Sequence, residues 1–139
     1  MPEPRATAQT IAERIEDLYA RPLADLEALA ATHPDASMLA ALITGLTDLQ
    51  FAERNIAFQR QRLLQLADPE REIGSFAAGH IRDCARRLSE SVATRDAHTK
   101  TLSGVLAGLH RVPAPDPKPE PTVSAAPVPT PARAIARTR

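Results

Sequence analysis

The chain contains no tryptophan and, in 139 residues, only three phenylalanines and one tyrosine. Its apolar side chains are mainly those of alanine and leucine, which both favour helices. A core built from small aliphatic side chains buries little area per residue, so we expect modest stability for a monomer. Length and composition together predict a single, helix-rich domain at most.

Cysteine is almost absent as well, since Cys84 is the only one and has no partner for an internal disulfide. This favours a reducing compartment. The first residues lack the basic segment and apolar run of a signal peptide. The longest mostly apolar stretch, Ser37 to Leu46, is about half of what a membrane span requires. We therefore predict a cytoplasmic protein without a transmembrane segment.

Neither sign of charge is in excess, because 17 basic residues balance 17 acidic ones. The charge is nevertheless uneven: residues 1–34 carry six acids and three bases, and residues 113–139 carry four bases and two acids. Neither excess is large enough to require a nucleic acid or a membrane surface as partner.

The most informative segment is Asp35 to Ala67, which predicts one helix with apolar side chains on two opposite sides. Phe51 and Phe58 are seven residues apart and lie about half a turn from the main apolar stripe. A helix that is apolar on two sides needs two partners, so this helix should be the central one. The main stripe comprises Met38, Leu39, Leu42, Leu46, Leu49, Ile56 and Leu63.

Three further helices are predicted around this central one. Thr7 to Ala20 shows helical spacing, and a short helix from Leu23 to Ala31 follows Pro22, either as a separate helix or as the second part of a kinked one. Asp68-Pro69-Glu70 is typical of a helix start, which predicts a second long helix from Pro69 to about Arg111. Asp35 or Ser37 is the expected cap of the central helix.

The composition changes abruptly at Pro113, since eight of the thirteen prolines follow from there. Proline at alternate positions removes hydrogen-bond donors and favours an extended, disordered chain. The predicted organisation is a flexible leader (residues 1–6), a helical domain (7–112) and a disordered Pro/Ala-rich tail (113–139).

These elements predict an all-α fold: a long antiparallel helical hairpin with the N-terminal helix packed on it, similar to a three-helix bundle. In that register Ile15 lies level with Phe51, and Ile11 with Phe58, so the two aromatic rings are covered within the chain. The alternative is that Phe51 and Phe58 contact a second copy of the chain.

A hairpin turn at Asp68-Pro69 would leave the end of the second long helix uncovered from Leu102 onward. This overhang would need a partner, so its apolar residues are candidates for an interaction site together with Phe51 and Phe58. The overhang residues are Leu102, Val105, Leu106 and Leu109.

Three charged residues fall at apolar positions of the hairpin, namely Glu53, Arg60 and Arg95. Long side chains can extend from such positions to the solvent. Alternatively, they make polar contacts that fix the register of the helices.

Candidate chemistry is sparse. Cys84 and His80 are four residues apart and share a helix face, but zinc needs three or four ligands and the other histidines are scattered. A buried thiol beside an edge histidine is the simpler interpretation. Gly104 and Gly108 have the spacing of a close helix contact. We predict no catalytic residues, no metal site and no cofactor.

The favoured function is that of a non-enzymatic helical interaction protein (an adaptor, assembly factor or structural subunit) that binds a protein partner or itself. One alternative is an accessory nucleic-acid-binding protein that uses Arg133, Arg137 and Arg139. Another is an amphipathic coat protein on a membrane or granule surface.

Overall fold

A computed structural model describes residues 7–35, 37–113, 115 and 117. These residues form four helices and no strand: α1 (Ala8–Tyr19), α2 (Leu23–Thr32), α3 (Met38–Leu66) and α4 (Ser75–Gly108). The predicted all-α class is confirmed. The leader (1–6) and residues 118–139 of the predicted tail lie outside the described residues.

Hydroxyl groups cap the starts of α1 and α3. The Thr7 side chain accepts a hydrogen bond from the Thr10 amide, and Ser37 Oγ accepts one from the Ala40 amide. Each bond satisfies an amide that the first turn of a helix leaves without a partner. Ser37, one of the two predicted caps, is therefore the cap of the central helix.

α1 and α2 are separate helices joined by a sharp corner. Ala20 adopts the left-handed conformation (φ 52°, ψ 41°), which ends α1. Pro22 stands just before α2 and its carbonyl accepts the first helical hydrogen bonds. Glu16 Oε1 accepts a hydrogen bond of 2.6 Å from the Leu23 amide, so a side chain of α1 caps α2.

α3 and α4 form the predicted antiparallel hairpin, and it is the largest helix pair of the fold. Two contacts define its register. A Cβ atom on Gly45 would come within 2.9 Å of Leu102 Cδ2. Asn55 Nδ2 donates a hydrogen bond of 2.7 Å to Ser91 Oγ. Moving ten residues forward along α3 thus moves eleven back along α4.

The helix start that the sequence predicted at Pro69 is wrong. Asp68 Oδ1 accepts a hydrogen bond from the Glu70 amide, and the Asp68 carbonyl accepts one from the Arg71 amide. These bonds form a turn, a role for which Asp is as suitable as it is for capping a helix. Gly74 continues in extended backbone (φ −86°, ψ −179°), and α4 begins only at Ser75.

The longer connection moves α4 along α3, and the predicted overhang does not exist. Leu102 is 5% exposed and Leu106 is similarly buried, while Val105 and Leu109 pack against the same core. The expectation that these four residues form an uncovered surface is therefore wrong. The uncovered end of α4 is its first turn, where Phe76 is 81% exposed.

The hydrophobic core lies at one end of the hairpin, which we call the head. α1 and α2 both pack there on the first half of α3, and α1 also packs on the last turns of α4. Ile11, Ile15 and Leu26 are completely buried. The predicted packing of an N-terminal helix on the hairpin is thus confirmed. The core residues are Ala8, Ile11, Ile15, Leu26, Ala30, Leu39, Ala40, Leu42, Leu46, Leu49, Leu102 and Leu106.

Gly104 and Gly108 do not form the close helix contact that their spacing suggested. A Cβ atom at either position would meet nothing within 4 Å. The close approach of α3 and α4 occurs instead at Gly45.

Alanine substitutions should distinguish Gly45, which is crowded, from Gly79 and Gly104, where a Cβ atom would meet nothing within 4 Å. Because Ala is the better helix former, Gly79→Ala and Gly104→Ala should each raise the free energy of unfolding by about 0.5–1 kcal/mol. Gly45→Ala should not raise the free energy of unfolding, because its methyl group displaces the buried Leu102 side chain. Its free energy of unfolding should be at least about 1 kcal/mol lower than that of either other variant. Urea denaturation measures all three. Equal gains at the three positions would contradict the register of the hairpin.

Candidate interaction surface

The other end of the hairpin is an arm, which we define as residues 51–98. The core cluster includes no residue of α3 beyond Leu49 and none of α4 before Leu102. The α3 part of the arm, Phe51 to Leu66, is about 24 Å long at 1.5 Å per residue. The stability of α3 and α4 in the arm therefore depends chiefly on the contacts between these two helices.

The seam between the two helices of the arm contains a polar layer. Asn55 donates to Ser91 Oγ, which in turn donates to the Arg87 carbonyl at 2.8 Å. Gln59 is only 3% exposed, and its Nε2 donates to Asn55 Oδ1 at 3.4 Å. No buried side-chain nitrogen or oxygen in the described residues lacks a partner. This layer favours one register, because sliding the helices would break the Asn55–Ser91 hydrogen bond, which joins α3 to α4.

This layer was not predicted, because the spacing of apolar residues alone does not include Asn55, Gln59 or Ser91. A spacing of three and four residues from Ala52 leads through Ile56, Gln59, Leu63 and Leu66, and all of them are buried or half-buried. Continuing the spacing irrespective of residue type would have identified Gln59. Arg60, which was predicted to lie in the seam, is exposed.

The other two charged seam candidates make polar contacts. Glu53 Oε1 accepts a hydrogen bond of 2.9 Å from the Ala8 amide, the first of α1. A carboxylate is favourable there because the start of a helix has free amides and a partial positive charge. The bond positions α1 on α3 at the base of the arm. Arg95 forms an ion pair with its exposed neighbour Asp96.

Phe51 and Phe58 lie on the outer side of α3, where they are 64% and 63% exposed. The prediction that Ile15 and Ile11 cover them is wrong. For Phe58 the Glu53–Ala8 contact shows the reason: α1 begins level with Glu53 and runs toward the head, so Phe58 lies beyond its start. Phe51 is level with the first turn of α1 but exposed, so it lies on a different side of α3. The spacing identified a second apolar side of α3 but not what covers it.

Exposed apolar side chains are concentrated on the arm. Eight large hydrophobic residues of the described chain are exposed, and five of them lie between residues 51 and 76. Single exposed apolar residues are common on any surface, but a concentration of this kind is typical of contact sites. The five are Phe51, Phe58, Leu64, Ile73 and Phe76.

A groove of about 240 Å³ lies beside Phe58, between the two helices of the arm. The Cys84 thiol is buried and free, whereas Arg62 and Arg87 are exposed. At the next turn the His80 ring packs edge-on against Phe76, with 4.5 Å between the ring centroids. The groove is lined by Phe58, Gln59, Arg62, His80, Asp83, Cys84 and Arg87.

The charged side chains around Phe58 are mainly basic, although Asp83 also lines the groove. Arg54 and Arg62 are one turn before and one turn after it on α3, and Arg87 faces it across the groove. None of the three arginines forms an ion pair with another described residue. The surface around Phe58 therefore combines an exposed aromatic ring with three guanidinium groups available to carboxylates.

The described residues provide no support for a metal site, a nucleic-acid site or a membrane span. The described residues contain no group of three or more potential metal ligands. Arg133, Arg137 and Arg139, on which the nucleic-acid alternative depends, lie outside the described residues. Within the described part of the chain, no helix combines the length and apolar character needed to cross a membrane.

Comparison with known proteins gives no further guide, since no protein-family model, curated protein or solved structure matches this chain.

Proposed function

We propose that this chain is a non-enzymatic interaction protein that binds a protein partner through the outer face of its arm. The observation that supports this is the pair of phenylalanines, Phe51 and Phe58, which are both more than half exposed. They lie seven residues apart on one helix, so the two rings are two turns from each other on the same side. Two aromatic side chains so placed provide apolar anchors for a partner.

The arginines around Phe58 fit the same function. Protein interfaces are enriched in aromatic residues and arginine, with the apolar part at the centre and charges at the rim. Arg54 and Arg62 flank Phe58 in this way on an exposed surface. An adaptor, assembly factor or structural subunit would use the arm by binding rather than by catalysis. The proposal includes a reducing, cytoplasmic setting, because Cys84 is a free thiol.

The double variant Phe51→Ser/Phe58→Ser tests this proposal. Because both rings are largely in water already, we expect the free energy of unfolding to change by less than about 1 kcal/mol. Binding should suffer much more, with a loss of at least about thirtyfold in affinity, since aromatic anchors often contribute 2 kcal/mol or more. Capture by the immobilised full-length chain, read by mass spectrometry, identifies the partner, and titration then measures the loss.

Phe76→Ser is the matched control, because Phe76 is also exposed but lies at the tip of the arm on α4. It should leave the set of captured proteins unchanged. If the double variant captures the same proteins as the unmodified chain with the same affinity, the outer face of α3 is not the contact surface. Loss of helical structure in the double variant would contradict the exposure of the two rings.

A further inference from the structure

The corner between α1 and α2 is a second distinctive surface of this chain. It forms a shallow concavity of about 510 Å³ lined by Glu16, Asp17, Ala20, Arg21 and Pro22. Ala20 and Pro22 contribute carbon atoms, and Glu16 and Asp17 contribute carboxylates, against one base, Arg21. Glu16 is engaged with the Leu23 amide, whereas the exposed Asp17 forms no ion pair with a described residue.

More negative charge lies next to this corner. Asp25 is three residues after Pro22, in the first turn of α2, and it is also exposed without an ion pair among the described residues. Over residues 7–34 there are five acidic and two basic residues. The corner therefore offers a shallow, partly apolar hollow at which Glu16, Asp17 and the nearby Asp25 outnumber Arg21.

A strip of three side chains on the arm is complementary to this hollow. Arg54, Phe58 and Arg62 are four residues apart on α3, so they form one continuous strip, and all three are exposed. An aromatic ring with an arginine on each side suits a partly apolar hollow with carboxylates beside it, because both the apolar surfaces and the opposite charges match.

A single copy is unable to bring these two surfaces together. α1 begins level with Glu53 and runs toward the head, so Ala20 is about 18 Å from that level at 1.5 Å per residue. Phe58 lies in the other direction, about 7 Å toward the tip on the same rise. The two surfaces are therefore separated by about 25 Å along a packed helical body.

We propose that a second copy of this chain is the partner of the arm, and that Phe58 of each copy docks into the α1–α2 corner of the other. The two chains then lie antiparallel around a two-fold axis, and the same contact forms twice. This pairing closes the assembly and doubles the area that one small contact would bury. The inference rests on the proposed function, since it names the occupant of the same aromatic face.

Charge reversal on each surface gives a decisive test. Arg54→Glu/Arg62→Glu makes the arm strip acidic, and Asp17→Arg/Asp25→Arg makes the corner basic. Each double variant alone should dimerise at least about tenfold more weakly than the unmodified chain, because like charges then meet in both contacts. An equimolar mixture should dimerise again, since one contact pairs the two reversed surfaces and the other pairs the two original ones. Sedimentation of the full-length chain across the micromolar range measures every species.

Two controls with the same change in net charge accompany the test. Arg82→Glu/Lys100→Glu changes exposed bases on α4 outside the arm strip, and Glu70→Arg/Glu72→Arg changes exposed acids in the turn at the tip. Both controls should dimerise like the unmodified chain, and circular dichroism should show native helix content in all variants.

Three results would overturn the inference: an unmodified chain that stays monomeric, reversed variants that dimerise normally, or a mixture that does not recover. A dimer that is lost in Phe51→Ser/Phe58→Ser but not restored by mixing would indicate that the two Phe faces pack on each other. A monomeric chain that still captures another protein through Phe51 and Phe58 would refute the dimer while leaving the proposed function intact.

Discussion

Leu102→Ala should lower the free energy of unfolding by about 3–4 kcal/mol, one of the two largest effects that we expect from a single substitution. Leu102 is buried in the head, where it packs against Gly45 of α3 and belongs to the same cluster as the residues of α1. Removing most of its side chain leaves a cavity between three helices that pack closely. Urea denaturation followed by circular dichroism measures the loss.

Leu64→Ala is the matched control for this substitution, since it removes the same atoms from an exposed position on the arm. It should change the free energy of unfolding by less than about 0.5 kcal/mol. Similar losses for the two variants would mean that the end of α4 is not covered by α3, as a hairpin turn at Pro69 would require.

Ile15→Asp should destabilise the protein still more, by at least about 4 kcal/mol. Ile15 is completely buried in the middle of α1, among the apolar side chains of the head. A carboxylate there must either remain charged without a partner or detach α1 from the hairpin. Denaturation measures the loss, and hydrogen exchange shows whether the amides of α1 and α2 lose protection first.

Arg14→Asp serves as the control, because it introduces the same carboxylate at the adjacent, exposed position of α1. Its effect should stay below about 1 kcal/mol. If Ile15→Asp were tolerated equally well, α1 would not be packed in the head as described.

The sequence predicted much of the architecture because the relevant signals are local. The spacing of Ile11 and Ile15 identified the buried side of α1, and the long apolar stripe of α3 identified its contact with α4. Ser37 was among the expected caps because a hydroxyl just before a helix satisfies free amides. These features depend on residues within one or two turns of each other, so they are visible without the fold.

The errors arose where one residue pattern fits two structures. Asp68-Pro69-Glu70 fits a helix start and a turn equally well, and only the packing of α4 against α3 decides between them. Because the segment forms a turn, α4 is displaced along α3 from its predicted position. Leu102 is therefore buried, and the free end of α4 is at Phe76. Likewise, the spacing of Phe51 and Phe58 identifies a shared side of α3, but the start of α1 and the side of α3 on which it packs decide whether they are covered.

The candidate surface was therefore only partly predictable. Phe51 and Phe58 are exposed, which agrees with the alternative that they contact a second copy, and that contact stays a prediction. The contribution of Arg54 and Arg62 follows from their position around Phe58 on one strip. The corner at Ala20 depends on a left-handed residue other than glycine, which no local pattern of this sequence indicated.

The core joins residues that are far apart in the sequence, and this has a consequence for how the chain folds during synthesis. Ile15 and Leu102 belong to one cluster although they are roughly 90 positions apart, whereas the two helices of the arm are joined by a short turn. α1 and α2 leave the ribosome before α3 and α4, yet the last turns of α4, which complete the packing of α1, emerge only after the whole arm. The arm is thus able to pair as soon as it is exposed, and the head closes later, once the end of α4 has emerged.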